Sequence, residues 1–182
     1  MKKRNPEQLP QLSVIIVVVS GGNHLKRCLR SLDDQVDAPS MEIIVPYDVN
    51  GPDINSLESQ FPTVNFYGVT SLLLTSTSYQ TSHENLDQLR AIGLQQARGR
   101  ILALLEDHDR VDKHWAMHVM EGHNAPHAAV GGAIENEVDR ILNWAVYFCD
   151  FGRYQTPINT GSACFLSDVN ISYKRGALQN IK

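Results

Sequence analysis

The run Ile101-Leu102-Ala103-Leu104-Leu105, followed directly by Glu106-Asp107-His108, is the stretch on which the fold of this chain turns. Four of its five leading residues are large aliphatics, the composition of a strand covered on both faces. Three ionisable, metal-competent side chains then follow without a gap. A buried strand ending in charge holds its carboxylates at the carboxyl edge of a sheet, where a divalent cation and a phosphorylated ligand could meet them. A plain loop has no need of three adjacent ionisable groups at that point.

The same alternation repeats upstream. Leu12–Val19 reads as a first strand, and after Ser20-Gly21-Gly22 the positions Leu25, Cys28, Leu29, Leu32 and Val36 fall at helical spacing. Met41–Val45 reads as a second strand, running through Pro46-Tyr47-Asp48 into an Asn50-Gly51-Pro52 turn and a short helix over 54–59. Val64–Val69 reads as a third strand, and residues 70–82, rich in Ser and Thr without a helical period, read as a mobile loop. Leu86, Leu89, Ile92, Leu94 and Ala97 mark a helix over 84–97, closed near Gly99 and delivering the chain into the strand that ends at Glu106.

Beyond His108 the pattern predicts a helix near 113–121, a strand over 128–134 and a helix over 138–148. Trp144, Tyr147, Phe148 and Phe151 form one stripe at i, i+3, i+4 and i+7. The stripe is expected to pack into the core, with an aromatic wall for a sugar or acceptor as the alternative. Repeated β-α-β units predict an α/β fold built on a mostly parallel, Rossmann-like sheet with helices on both faces. Ser20, Asp48 and Glu106 each follow a strand's carboxyl end, so one crevice can gather all three.

Composition bounds what such a crevice can serve. A chain of 182 residues, 42% hydrophobic and 20% charged, suffices for one domain with a proper core, here expected over 12–182 behind a polar tail of residues 1–11. A formal net charge of -4 argues against a general affinity for nucleic acid, so an anionic ligand must be met by a local site or a bound metal. The longest aliphatic run, Val14–Val19, is far too short to span a bilayer. Cys28, Cys149 and Cys164 are odd in number and widely spaced, which argues against a disulfide framework and for a reducing cytoplasm. Contact with the inner membrane face stays open.

Taken together, several blocks resemble family 2 glycosyltransferases of the GT-A fold. They are Leu12-Ser13-Val14-Ile15-Ile16, the helix Leu25 to Leu32, Glu42-Ile43-Ile44-Val45 ending at Asp48, Arg90 before Gly93-Leu94, Ala97-Arg98-Gly99, and the strand into Glu106-Asp107-His108. Val130-Gly131-Gly132-Ala133-Ile134-Glu135-Asn136, Trp144-Ala145-Val146-Tyr147 and Asn170-Ile171-Ser172-Tyr173-Lys174-Arg175 are similar to a bacterial branch in which Glu-Asp-His replaces Asp-x-Asp. The resemblance implies a nucleotide-diphosphate sugar as donor, an unidentified glycan, lipid or other acceptor, and inversion at the anomeric carbon. It implies that Val18, Val19 and Ser20 border the base, that Asp48 bonds base or ribose, and that Arg90 lies on the nucleotide side. Glu106 and His108 take the outer positions of the metal motif, with Asp107 between them.

That chemistry asks for these residue types. Breaking the bond between sugar and diphosphate leaves charge on the diphosphate, which a divalent ion bridging its oxygens stabilises. Mg²⁺ takes only one or two protein carboxylates beside phosphate and water, whereas an imidazole such as His108 suits Mn²⁺ better. In the family the acid that deprotonates the acceptor lies beyond the Asn-x-x-Tyr-x-Arg-like block, and seven residues follow Arg175. The chain is therefore expected to be short at its C-terminal end, with Asp150 and Asp168 as nearby substitutes.

Each residue also has a plainer account. Asp48 can shape the turn at Asn50-Gly51, and Arg90 can pair with Asp87 on an exposed helix. Five of the seven histidines lie between His108 and His127, and His114 with His118 stand at i, i+4, a zinc-compatible spacing. Trp115 occupies the place where a metalloprotease carries Glu, so two histidines on a surface helix is the simpler account. A nucleotide-sugar-binding module without turnover is the other alternative.

Overall fold

The computed structural model describes residues 9–51, 54–70 and 79–178. Six strands form one sheet: β1 (Leu12–Val17), β2 (Met41–Asp48), β3 (Asn65–Val69), β4 (Ile101–Glu106), β5 (Ala129–Gly131) and β6 (Ile171–Lys174). Their order is β3-β2-β1-β4-β6-β5. The first four run parallel, while β6 lies antiparallel to both β4 and β5. Strand order reverses between β1 and β4, whose carboxyl ends meet at Val17 and Glu106.

Alternation along β1 explains why helices cover both faces. Leu12, Val14 and Ile16 point to one side with Ile43, Val45, Ile101, Ala103 and Leu105. They pack there against α1 (Gly22–Asp33), α2 (Asn55–Gln60) and α4 (Trp115–Gly122). Ile15 and Val17 point the other way, toward α3 (Tyr79–Gln96) and its continuation at Ala97. This is the near-continuous apolar reading expected of parallel strands. Cys28 is buried and Cys149 and Cys164 are exposed, all three as free thiols.

Several boundaries differ from expectation. β1 stops at Val17, β2 runs three residues further to Asp48, and α1 ends at Asp33, leaving Val36 42% exposed. The chain from Tyr79, expected as loop, already belongs to α3, while residues 71–78 of that loop and 1–8 of the tail lie outside the described residues. The strand expected over 128–134 shrinks to Ala129–Gly131, and β6 was not foreseen as a strand. Four residues are too few for a period to declare itself; β6 exists because its backbone pairs with β4 from Leu104↔Ile171 to Ile101↔Lys174.

α5 (Ile141–Asp150) corrects a further expectation. Of its aromatic stripe only Tyr147 is buried, its hydroxyl donating to the Ile134 carbonyl at 2.6 Å. Trp144 stacks on Phe148 at 5.5 Å, and Phe148 is 55% exposed. The stripe packs largely on itself. Among the described residues no helix is long and apolar enough to cross a membrane.

Candidate functional site at the carboxyl ends of β1 and β4

Two linked clusters occupy the point where strand order reverses. Arg90, on α3, is the hub of the first: its guanidinium meets Glu106 Oε1 at 2.8 Å, Asp168 Oδ2 at 3.1 Å and Asp87 Oδ1 at 2.9 Å. Its side chain is only 14% exposed, and its Nε is buried without a partner among the described residues. Arg90 thus makes the pairing with Asp87 of the plainer account while also lying against Glu106. Burial pushes the Glu106 carboxyl above the usual carboxylate range, against the pull of Arg90.

Asp107 organises the second cluster. It is fully buried, and its Oδ2 accepts hydrogen bonds from the backbone N–H groups of Ser20 at 2.8 Å and Gly21 at 2.5 Å. Gly21 has φ 65°, a left-handed conformation that suits glycine and aims both N–H groups at one oxygen. His108 spans the two segments, with Nδ1 3.3 Å from Asp107 Oδ1 and Nε2 3.0 Å from the Ser20 hydroxyl. The ring of His24, from the first turn of α1, meets His108 edge-on at 4.6 Å.

The other expected residues are placed less centrally. Val18 is a core side chain, so only its backbone is free to border a ligand, whereas Val19 is 40% exposed. Asp48 ends β2, and its Oδ1 accepts the Asn50 N–H at 2.9 Å, the turn-shaping role of the plainer account. Asp168 joins Arg90 and keeps a side chain 68% exposed. Asp150, the last residue of α5, makes no hydrogen bond or ion pair with Arg90, Glu106, Asp107 or His108 among the described residues.

Three contributors were not singled out from sequence: Gly21, His24 and Asp109. Asp109 Oδ2 accepts the Glu106 N–H at 2.7 Å, closing the turn after β4. Burial, opposed by that hydrogen bond and reinforced by the Glu106 and Asp107 carboxylates, pushes Asp109 up to about 7. An acid three residues after Glu106 was the available signal, since short polar side chains commonly bond back to a preceding turn.

Among the described residues no three His, Cys, Asp or Glu side chains converge on one point. His114 and His118 face each other at 6.1 Å between ring centroids without a third ligand. Glu106 and His108 likewise make no closed cage. They do suit a cation held mainly by phosphate and water, because Glu106 Oε2 makes no hydrogen bond among the described residues and the His108 side chain is 41% exposed.

No protein-family model matches this chain, and no curated protein matches its sequence. Solved structures match its fold. A mannosyltransferase from Pyrobaculum calidifontis, solved with GDP-Man and Mn²⁺, superposes with a TM-score of 0.58 at 14% identity, over 96% of this chain and 47% of its own. TarS of S. aureus in a 1–349 form gives 0.52 at 19% identity, over 71% of this chain and 37% of its own. A second TarS structure gives 0.53 at 18% identity, over 71% and 22%. This chain thus spans less than half the length of these solved relatives, and identities this low speak for fold alone. The chain carries the mostly parallel α/β fold, with helices on both faces, of a solved mannosyltransferase.

Proposed function

We propose that this chain is a glycosyltransferase domain of the family 2 type, in its Glu-Asp-His bacterial branch, moving a sugar from a nucleoside-diphosphate donor to an acceptor hydroxyl with inversion. The observation that carries the reading is the convergence of Arg90, Glu106, Asp107, His108 and Asp168 with the Ser20-Gly21 turn at the point where strand order reverses. The likeness in fold to the mannosyltransferase, solved with GDP-Man and Mn²⁺, supports it.

In this reading the base lies along Val18, Val19 and Ser20, and Asp48 bonds base or ribose. Asp107 acts through the turn it holds. Arg90, held in place by Asp87, Glu106 and Asp168, offers its guanidinium to the diphosphate, where a positioned positive group stabilises the departing charge. Glu106 and His108 would hold a divalent ion, Mn²⁺ or Mg²⁺, which when bound neutralises charge on the leaving diphosphate.

Asp168 takes the acceptor's proton as the acceptor oxygen attacks the anomeric carbon and the bond to the β-phosphate oxygen breaks. Its place in the cluster with Arg90 and Glu106, which Asp150 does not join, favours it over Asp150. The cytoplasmic setting belongs to the same proposal. A nucleotide-sugar-binding module without turnover is the second reading, favoured by the ion pair that already engages Asp168.

Calorimetric titration of UDP-, GDP- and TDP-sugars with and without Mn²⁺ tests the site. At least one donor should bind, with affinity falling tenfold or more in Arg90→Ala and Glu106→Ala, both checked for folding by circular dichroism. Binding that ignores both substitutions removes the site. Binding without transfer or hydrolysis selects the second reading.

A further inference from the structure

A cavity of about 340 Å³ opens at the other end of the sheet, lined in part by Arg100, Ile101, Met120, His123, Lys174 and Arg175. Ile101 begins β4 and Glu106 ends it, so at about 3.3 Å per residue the two sites stand roughly 17 Å apart along the strand.

The lining holds three basic side chains, Arg100, Lys174 and Arg175, and no acid. Among the described residues, none of Arg100, Lys174 and Arg175 forms an ion pair with a carboxylate. Lys174 Nζ donates to the Ala125 carbonyl at 2.5 Å and Arg175 Nε to the Gly99 carbonyl at 2.8 Å. These bonds fix the two side chains and leave their charge unneutralised. Asp37 and Glu121 line an adjoining hollow that shares Arg100, so the Lys174 and Arg175 side is the more electropositive.

One buried donor in this lining has no acceptor: Arg175 Nη2 is buried with no hydrogen-bond partner among the described residues. Native proteins rarely leave a buried guanidinium N–H unsatisfied. His123 is 7% exposed; because the Ser172 hydroxyl donates to the Val130 carbonyl, the ring donates its Nε2–H to Ser172 Oγ at 2.9 Å and its Nδ1 is left as an acceptor. Burial, with Lys174 and Arg100 adding to it, holds the His123 ring below its ordinary pKa, as expected of imidazole in a positive environment.

We propose that this cavity is a second binding site, for a phosphate-bearing anion, with Arg100, Lys174 and Arg175 as its cationic wall. Three cations against one ligand favour a phosphomonoester dianion over a single carboxylate, and guanidinium groups match its oxygens in pairs. Ile101 and Met120 supply an apolar floor, so the phosphate is carried on a body with some nonpolar surface. A soluble phosphomonoester and a lipid headgroup share this chemistry.

The test is an amide ¹H–¹⁵N titration of the whole chain with inorganic phosphate at constant ionic strength, read residue by residue. Saturable shifts at Asn124, Lys174 and Gly176 are expected, with affinity falling fivefold or more in each of Arg100→Ala and Lys174→Met. Co-sedimentation with vesicles containing phosphatidic acid, compared with phosphatidylcholine alone, assigns the headgroup if the same substitutions abolish it. Phosphate binding without co-sedimentation assigns the soluble ligand. No saturable shift with either probe, shifts confined to Ser20, Gly21 and His108, or shifts unchanged in both variants would overturn the assignment. Because the crevice reports through different amides, this outcome is independent of the proposed transferase activity.

Discussion

Glu42 is 1% exposed near the start of β2, where a lone carboxylate would be costly. Four donors hold it: the Ser13 hydroxyl at 2.7 Å, the Arg98 N–H at 2.6 Å, and the Arg98 Nε and Nη2 at 3.1 and 3.0 Å. Burial alone would raise its pKa, but these bonds win and hold it below the ordinary 4.5. A depressed carboxyl pKa contributes stability that is present above the unfolded value and lost as pH falls through the folded one. Glu42→Gln should therefore cost about 2 to 3 kcal/mol at pH 7 and progressively less as pH falls below the ordinary 4.5, as read from urea melts at neutral and acidic pH. The sequence put Glu42 in a family block without a role; its partners come from segments 29 and 56 residues away.

At the scale of elements, α3 lies unusually close to the sheet. A Cβ on Gly93 would stand 2.5 Å from Ile15 Cγ2 and 3.2 Å from Pro46 Cγ. Alanine is the better helix former by about 1 kcal/mol, yet the collision should outweigh that gain. Gly93→Ala is expected to destabilise the chain by about 1 to 3 kcal/mol in thermal melts. Arg90 sits one turn upstream of Gly93, so the same displacement should weaken whatever the Arg90 cluster binds. α5 teaches the converse lesson. Its apolar periodicity was legible, but Ile141 is 92% exposed and Leu142 75%, because periodicity says that a face is apolar and not what covers it.

Across the whole molecule, protection should follow burial rather than strand count. β1, β2 and β4 form the centre of the sheet with almost entirely buried residues, whereas β5 is a three-residue edge strand of half-buried ones. Native-state hydrogen exchange should find the slowest amides in Val14–Ile16, Ile43–Val45 and Ala103–Leu105 and much faster ones in Ala129–Gly131; equal protection would mean that β5 and β6 open only with the entire sheet. The parallel half of that sheet was legible because each strand is a local run of apolar residues between turns, and the Glu106-Asp107-His108 block because it ends one such run. Sequence alone thus determined the α/β class, the order of the first four strands and helices, and the residues offered at their carboxyl ends. Only the tertiary structure decided that Asp107 turns inward to hold Ser20 and Gly21, that Arg90 ties Glu106 to Asp168, and that β6 inserts between β4 and β5. The reason is separation along the chain: a period of two or 3.6 residues is written in neighbours, whereas Ser20 and Asp107 meet across 87 positions, and only packing of the whole sheet brings them together.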